Sequence, residues 1–188
     1  GNDDVIIYVT YTIKMQFSVL GMNEITVTKA ARSKTFGDIL FGIETIPENP
    51  IMGSASGGGN YKHGTQIQIS ATPNYGYKFK TWADGNTNNP RTVTVTGAKT
   101  YIAVFEQSEF GINLVSSPSE GGSTSGEGTY KYLDSVTITA TPANGYHFSR
   151  WSVYKHKDNA TDLRNDQTTS LTVDQSYTCT AHFDRNSY

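Results

Sequence analysis

The sequence contains a single cysteine, Cys179, among its 188 residues. One cysteine cannot form an internal disulfide, and no group of Cys and His has the spacing of a zinc site. No apolar run is long enough to cross a bilayer as a helix. The net charge is only −2, with no basic cluster to attract nucleic acid or an anionic membrane. These absences argue against a disulfide-stapled domain, a metal centre, a membrane span and a nucleic-acid partner.

A signal peptide is also missing, but the chain begins Gly-Asn-Asp-Asp without a Met, as a trimmed chain does. The missing leader therefore says nothing about export. The composition is more informative, because 18 Gly and 12 Tyr stand beside many Thr and few Leu. This composition is typical of an all-β protein. We expect an extracytoplasmic protein, at the cell surface or secreted, whose lipid anchor, if it has one, lies outside this sequence.

The most informative feature that is present is an internal repeat. Residues 41–82 realign without a gap onto residues 110–151. At a shift of roughly 69 residues, about 18 of about 42 positions are identical, which chance rarely gives. The shared residues are Gly, Pro, Thr and aromatics, which build turns, strands and cores and do not transfer protons. The repeat therefore predicts two tandem modules, at 41–106 and 107–188, with a structural or binding role.

The N-terminal region, residues 1–40, lies outside the repeat and has its own pattern. Apolar and polar residues alternate over residues 5–19, which predicts a half-buried strand. At about 3.3 Å per residue this strand would span roughly 50 Å, well beyond the usual length. A turn at 21–23 leads into a second strand at 24–29, so we expect a β-hairpin. A strand this long could also pair between chains, which would make the protein a homo-oligomer.

Within each module the sequence predicts short strands and at most one short helix. Alternation over residues 66–71 and again over 135–140 indicates a half-buried strand in both copies. The last strand is apolar in both copies on one face, which predicts the core face: Tyr101, Ala103, Phe105, Cys179, Ala181 and Phe183. About nine extra residues in the second copy predict a longer loop at 153–167, where insertions are tolerated and contacts are made.

The shared motif resembles the divergent B-repeats named after internalin B. The motif runs G.G.Y..G..(I/V).(I/L).ATP..GY.F..W and ends in A.F. The first copy matches it at Gly57, Gly59, Tyr61, Gly64, Ile67, Ile69, Ala71, Thr72, Pro73, Gly76, Tyr77, Phe79, Trp82, Ala103 and Phe105. The second copy matches it at Gly126, Gly128, Tyr130, Val136, Ile138, Ala140, Thr141, Pro142, Gly145, Tyr146, Phe148, Trp151, Ala181 and Phe183, with Leu133 in place of the usual Gly.

The resemblance covers residues 41–106 and 110–184 and implies a small β-rich module related to β-grasp repeats. Such modules lie along bacterial surface and secreted proteins, often anchored lipoproteins, where they act as stalks or adhesion modules. Those repeats have a helix where this sequence predicts the 66–71 strand. The resemblance therefore implies the family and leaves the β-grasp topology to be tested.

Two kinds of residue could bind a partner. Trp82 and Trp151 hold the same place in the two copies, which fits a core anchor and also fits an aromatic platform for a sugar ring. In the inserted loop, four consecutive side chains could contact a partner: Tyr154, Lys155, His156 and Lys157. An exposed sheet edge that pairs with another strand is the alternative surface.

No constellation of catalytic residues is recognisable. No Ser lies in a nucleophile elbow and no Gly-rich segment is a phosphate loop. Residues 84–88 open like a calcium loop but lack the Gly at position six and the Glu at position twelve, which favours a polar turn. We expect no catalytic residue, cofactor or metal.

The sequence thus predicts a non-catalytic surface or secreted repeat protein that acts as a spacer or adhesion module. The alternative is a carbohydrate-binding module of a glycan-capturing surface assembly, which exposed Tyr and Trp in a row would favour and the same rings buried would count against. The expected partner is a protein or a glycan at the cell surface.

Overall fold

The computed structural model describes residues 6–14, 24–32 and 39–187, and describes the first two of these ranges only as backbone strands. Nearly all regular structure in these ranges is β-strand. The single helical element among the described residues is a short 3-10 turn, Ser119–Gly121. The all-β prediction is confirmed.

The N-terminal region contains an antiparallel pair of strands. Strand β1 (Ile6–Lys14) pairs antiparallel with β2 (Glu24–Arg32), in an unbroken register from Ile6 opposite Arg32 to Lys14 opposite Glu24. Residue 5, the stretch 15–19 of the long predicted strand and the turn at 21–23 lie outside the described residues. Pairing between chains through this strand remains a prediction.

Each repeat forms two sheets with the same order of strands. The first repeat consists of β3 (Leu40–Pro47), β4 (Gly53–Ser56), β5 (Gly59–Lys62), β6 (Gln66–Pro73), β7 (Tyr77–Trp82), β8 (Arg91–Thr94) and β9 (Lys99–Gln107). The second consists of β10 (Glu109–Ser117), β11 (Gly122–Ser125), β12 (Gly128–Lys131), β13 (Ser135–Pro142), β14 (Tyr146–Lys155), β15 (Ala160–Arg164), β16 (Thr168–Thr172) and β17 (Tyr177–Arg185). The sheet orders are β5-β3-β9-β7 with β4-β6-β8, and β12-β10-β17-β14-β15 with β11-β13-β16.

The segments where the resemblance to internalin-B repeats implies a helix are strands in both copies. β6 and β13 are the central strands of the two three-stranded sheets, as the alternation of their residues predicts. In the second repeat β10 pairs parallel with β17, while β17 pairs antiparallel with β14. Residues 66–71 and 135–140 therefore belong to three-stranded sheets and not to a helix.

The described part of the chain divides into two compact units. One is drawn from the described residues within 1–46, 56–70 and 88–101, and the other from the described residues within 47–55, 71–87 and 102–188. The second unit thus contains the second repeat together with three pieces of the first, residues 47–55, 71–87 and 102–106.

The core of the second repeat is built from alternate residues of both its sheets. β17 shows the pattern most clearly, because every second side chain from Tyr177 to Phe183 is buried. The buried cluster is Ile112, Leu114, Val136, Ile138, Ala140, Trp151, Val153, Leu171, Val173, Tyr177, Cys179, Ala181 and Phe183. The predicted core face of the last strand is buried in both copies.

A β-bulge explains the spacing of Phe and Trp in the shared motif. Residues three apart on a regular strand point to opposite faces, yet Phe148 and Trp151 pack against each other, with ring centroids 5.9 Å apart. The register of β14 with β17 shifts between Phe148 and Arg150, so one extra residue turns Trp151 back to the core side. Phe79 and Trp82 repeat the arrangement at 5.6 Å, with a shift at the equivalent place.

The segment 153–167 forms mostly regular structure where the sequence predicts a longer loop. Its first residues extend β14 to Lys155, and β15 pairs back onto it from Trp151 opposite Arg164 to Lys155 opposite Ala160. The alternation of Trp151, Val153 and Lys155 continues the strand past the end that the first repeat has. The insertion therefore adds an edge strand that the first repeat lacks.

Leu133 shows the cost of the one departure from the motif. Its backbone has φ 70°, and Gly64 at the equivalent place has φ 81°, so the turn requires a left-handed residue in both copies. The same hydrogen bond forms in each copy, from Leu133 N to Val173 O and from Gly64 N to Val95 O, both at 2.7 Å. This left-handed conformation strains a leucine sterically. Because the Leu133 side chain is 53% exposed, the burial of its apolar surface offsets little of that strain.

We predict that Leu133→Gly stabilises the protein by about 0.5–1 kcal/mol, because relief of strain exceeds the added entropy of the unfolded chain. Urea unfolding measures the change. Gly64→Leu is the matched control and should destabilise by a similar amount. A destabilising Leu133→Gly would show that the leucine side chain makes a contact worth more than the strain.

Cys179 tests the burial of the core chemically. Its side chain is fully buried, and burial raises the pKa of the thiol to about 11. At pH 8 we expect a thiol reagent to modify the native protein about 100-fold more slowly than the urea-unfolded chain, from the scarcity of thiolate alone. Rapid native modification would contradict a closed core around β17.

Candidate functional site

The four predicted partner-binding residues lie at the tip of the inserted hairpin. Tyr154 and Lys155 end β14, and His156 and Lys157 begin the turn that leads to β15. His156 and Lys157 are exposed, while Tyr154 and Lys155 are half-buried. The structure therefore brings the four residues together, as their adjacency requires.

Three of these side chains are held by neighbours in the hairpin or on β17. The Tyr154 hydroxyl donates to Asn159 Oδ1 at 2.7 Å, and its ring meets that of His156 edge-on at 5.0 Å. Lys155 Nζ lies 2.6 Å from Asp162 Oδ2, and this hydrogen-bonded pairing raises the pKa of the lysine. His156 Nε2 lies 2.9 Å from Thr178 Oγ1. Hydrogen bonds, an ion pair and a ring contact therefore hold these three side chains in place at the tip.

Gln175 holds the turn between β14 and β15 in place. It is the buried polar residue of the described chain, at 3% exposure. Its Oε1 accepts from the backbone N–H groups of Lys157 at 2.7 Å and Asp158 at 3.3 Å, and its Nε2 donates to Asp158 Oδ2 at 2.6 Å. Because the amide is buried and its donor and acceptor are both used, it sets the position of the turn.

Lys157 reaches beyond its own repeat. Its Nζ lies 3.7 Å from the centroid of the Tyr75 ring, which belongs to the first repeat. The Tyr75 hydroxyl donates to the Asp174 carbonyl at 2.8 Å. Burial, and then the Asp174 carboxylate, raises the pKa of Tyr75, so the hydroxyl stays a donor at neutral pH. The insertion in the second repeat thus clasps an aromatic ring of the first.

Tyr75 is one of four aromatic rings that join the repeats. We call the cluster of Tyr75, Tyr77, Phe110 and Tyr132 the repeat junction. Tyr132 is its centre, with ring centroids 5.9 Å from Tyr75, 5.4 Å from Tyr77 and 6.2 Å from Phe110, all edge-on. Tyr75 also lies 6.1 Å from Phe110. Edge-to-face packing of this kind adds about 0.5–1.5 kcal/mol per pair beyond burial.

The linker between the repeats is a single residue. β9 ends at Gln107 and β10 begins at Glu109, which leaves Ser108 between them. Ser108 N donates to the Gly76 carbonyl at 2.9 Å, and Ser108 O accepts from Tyr132 N at 2.8 Å. Gln107 Nε2 adds a bond to the Tyr132 carbonyl at 2.6 Å. The linker is therefore bonded to both repeats and has no free length.

Gly76 lets the junction close. A Cβ on this residue would lie 2.4 Å from Cδ1 of Tyr132, so the ring occupies the space of a side chain. Gly145 is the equivalent residue of the second repeat, with φ 84° against 85° for Gly76, but a Cβ there would meet nothing within 4 Å. The two glycines share a backbone conformation and differ in what covers them.

The sequence reasoning missed the junction. Tyr75 and Tyr132 align with Asn144 and His63, so neither aromatic is part of the shared motif. The signal that could have revealed the junction is a difference between the copies. Each of these two positions carries a tyrosine in one copy only, Tyr75 in the first copy and Tyr132 in the second. A residue that contacts the other repeat has no reason to be the same in both copies.

The two tryptophans belong to the cores. Trp82 and Trp151 are both 0% exposed, which confirms the interpretation as core anchors. Trp151 Nε1 donates to the Gln167 carbonyl at 3.3 Å. Neither ring can stack on a sugar, so a tryptophan platform for carbohydrate is excluded.

One pair of side chains has a catalytic appearance. Ser152 Oγ lies 2.8 Å from His182 Nε2, on adjacent strands of the five-stranded sheet. Burial, and then the nearby Arg150, lowers the pKa of His182, so the imidazole is neutral at pH 7. The pair forms a hydrogen bond between neighbouring strands β14 and β17.

The residues considered for calcium form a turn. Asn86 N donates to Asp84 Oδ1 at 3.3 Å, and Gly85 N donates to the Trp82 carbonyl at 2.8 Å. Across the described ranges, no three His, Cys, Asp or Glu side chains are grouped as a metal site would need. In the same ranges, no helix has both the length and the apolar character that a membrane span requires.

These features define a class of protein: tandem all-β modules with tryptophan-centred cores. The divergent InlB B-repeat domain matches residues 45–109 and again residues 112–187. Because the two matches cover most of the sequence, the chain belongs to the divergent InlB B-repeat family, a family of bacterial surface repeat domains. No curated protein and no solved structure gives a significant match.

We predict that Gly76→Ala destabilises the protein more than Gly145→Ala. Both changes place an alanine in the left-handed region, at about 1 kcal/mol each, and Gly76→Ala adds about 1–3 kcal/mol because its Cβ meets the Tyr132 ring. Urea unfolding measures both. In a Tyr132→Ala background the extra cost should disappear. Equal costs for the two glycines would contradict the close packing at the junction.

Proposed function

We propose that this chain is a non-catalytic spacer or adhesion segment of a bacterial surface or secreted protein, in which the repeat junction holds residues 71–87 of the first repeat in a fixed orientation to the second repeat. The family consists of bacterial surface repeat domains and is typically non-catalytic. This supports the proposed surface location and the proposed non-catalytic role. A lipid anchor, which the sequence-based expectation allows, belongs to the same proposal.

The observation that carries the proposal is the one-residue linker. A flexible linker needs several residues whose backbone groups are hydrogen-bonded to water and not to the flanking modules. Ser108 instead bonds Gly76 on one side and Tyr132 on the other. The four aromatic rings of the repeat junction pack against one another across the two repeats, and the Lys157 cation lies over one of them, Tyr75. A stalk that must hold a binding module away from a surface benefits from such stiffness.

For the adhesive part of the proposal, we place partner contact at the inserted hairpin. Its tip carries the predicted residues Tyr154, Lys155, His156 and Lys157. Its second strand, β15, ends the order of its sheet, so one row of backbone groups is open to pairing. Leu163 on β15 is 65% exposed. The two surfaces suggested by the sequence, a loop and a sheet edge, thus meet at one hairpin, which fits a protein partner that adds a strand.

The carbohydrate-binding alternative lacks a comparable observation. Both tryptophans are buried, and Tyr75, the most exposed aromatic of the junction at 48%, is covered on one face by Lys157. The described residues offer no row of open rings, which a sugar platform would need. We therefore favour a protein partner over a glycan.

Residual dipolar couplings test the spacer proposal. We expect the couplings of residues 71–87 and 102–107, from the first repeat, and of residues 109–187, from the second, to fit one common alignment tensor. Insertion of Gly-Ser-Gly-Ser after Ser108 should separate them into two tensors, because it breaks the paired hydrogen bonds at the linker. The same insertion after Gly85, an exposed turn residue at which a Cβ would meet nothing within 4 Å, is the matched control and should leave one tensor.

Two different tensors in the unaltered chain would overturn the proposal. They would mean that the repeats move independently in solution despite the junction. A single tensor that survives the insertion at Ser108 would show that something other than the linker holds the repeats together.

A further inference from the structure

β15 is the outermost strand of the five-stranded sheet, and only one of its two edges is paired with a neighbouring strand. Asp162 and Arg164 lie on the face of the sheet that carries the core residues of β14. Leu163 lies between them on the opposite face, and its side chain is 65% exposed. The unpaired edge of β15 therefore offers backbone N–H and C=O groups, two charges and an apolar side chain to a further strand.

The two charged side chains on this edge are held in place. Lys155 Nζ lies 2.6 Å from Asp162 Oδ2, and Arg164 Nη1 donates to the Ser170 carbonyl at 3.4 Å. The Arg164 guanidinium is not fully used, because its Nε is buried without a hydrogen-bond acceptor in the described part of the chain. The edge therefore presents an ordered carboxylate beside an ordered guanidinium that can accept further acceptors.

The sequence of β15 is complementary to itself when a second copy runs in the opposite direction. In an antiparallel pair centred on Leu163, Asp162 of each copy faces Arg164 of the other on one face of the sheet. The two Leu163 side chains face each other on the opposite face. Opposite charges and apolar side chains that stand directly opposite each other stabilise an antiparallel pair.

The neighbouring symmetric registers lack this match. A pair centred on Asp162 sets two carboxylates opposite each other and leaves Arg164 opposite Ala160. A pair centred on Arg164 brings two guanidinium groups together. Like charges directly opposite each other are destabilising, so the charge pattern of β15 selects the register centred on Leu163.

We infer that β15 is a self-association site, at which a second copy of this chain adds its own β15 antiparallel and continues the five-stranded sheet. The inference deepens the proposed function, on which it rests, by naming the partner that adds a strand to the inserted hairpin. A second copy fits because the carboxylate, the guanidinium and the leucine of one edge each meet their complement in the same three residues of another. Copies that stand side by side on a surface would meet at high effective concentration.

The edge strand β7 of the first repeat shows the contrasting arrangement. β7 ends the order of the four-stranded sheet and carries Lys78 and Lys80, which both pair with Glu106. Two copies of β7 centred on Phe79 would set Lys78 of each copy opposite Lys80 of the other. Lysine on an edge strand is a common protection against unwanted pairing. β15 differs because its two charges have opposite signs.

The test is sedimentation velocity of the full chain over a range of concentrations. One pair of strands of 5 residues each buries less area than a stable dimer needs. We therefore expect a reversible dimer with a Kd of about 10 μM to 1 mM, and a weight-average sedimentation coefficient that rises through this range. Asp162→Arg and Arg164→Asp should each weaken the dimer at least about tenfold, because like charges then face each other.

An equimolar mixture of the two charge-reversed variants makes the reading specific. In the mixed dimer each arginine of one variant faces an aspartate of the other, so association should return to the level of the natural chain. Leu163→Arg should also weaken the dimer, because two like charges then meet at the two-fold axis. Val115→Arg is the matched control: Val115 is 40% exposed on β10, an inner strand of the same sheet, and the change should leave the dimer intact.

Three results would overturn the inference. A chain that stays monomeric up to about 1 mM would show that the edge of β15 does not pair with itself. Association that survives both charge reversals would place the contact at another surface. A mixture that stays monomeric would show that the reversals act through the fold of the hairpin. Where a reversed variant fails to fold, Leu163→Arg gives the reading, because its side chain is exposed.

Failure of this inference is distinguishable from failure of the proposed function. The common alignment of the residues on both sides of Ser108 is a property of one chain and needs no second copy. A monomeric chain with a single alignment tensor would retain the spacer proposal and leave a different protein as the partner of β15.

Discussion

The contact between the Tyr132 ring and the bare backbone of Gly76 is the interaction on which the joining of the repeats depends. The ring fills the space that a Cβ would occupy, and it brings the backbone of Tyr132 within reach of Ser108. Tyr75, Tyr77 and Phe110 then pack around that ring. Without the close approach, the linker would lose its partner in the second repeat. A peptide of one residue thus becomes a fixed joint.

The insertion in the second repeat reinforces the same joint. It adds an edge strand, and the turn before that strand is positioned by the buried Gln175. The turn places Lys157 over the Tyr75 ring. Because the turn is already ordered, the contact costs less conformational entropy than it would from a flexible loop. One hairpin therefore serves two places: its tip braces the junction, and its open edge is the surface we propose for a partner.

Comparison of the two copies predicted whatever the copies share. The alternation in β6 and β13, the core face of the last strands and the burial of Trp82 and Trp151 all follow from residues that recur at the same spacing. The bulge did not follow, because a strand pattern alone does not show which residue is extra. The junction did not follow either, since Tyr75 and Tyr132 differ from Asn144 and His63. Repetition identifies what each module needs for itself, and departures from it identify what one module needs from its neighbour.

The most direct test of this account is native-state hydrogen exchange of the Tyr132 and Ser108 amides. Both hydrogen bonds cross from the linker to a repeat and belong to no sheet, so their protection reports the junction alone. The account predicts protection close to that of the strands β9 and β10 on either side. Exchange as fast as that of an amide without a hydrogen bond would contradict it, because the linker would then open freely while both modules remain folded.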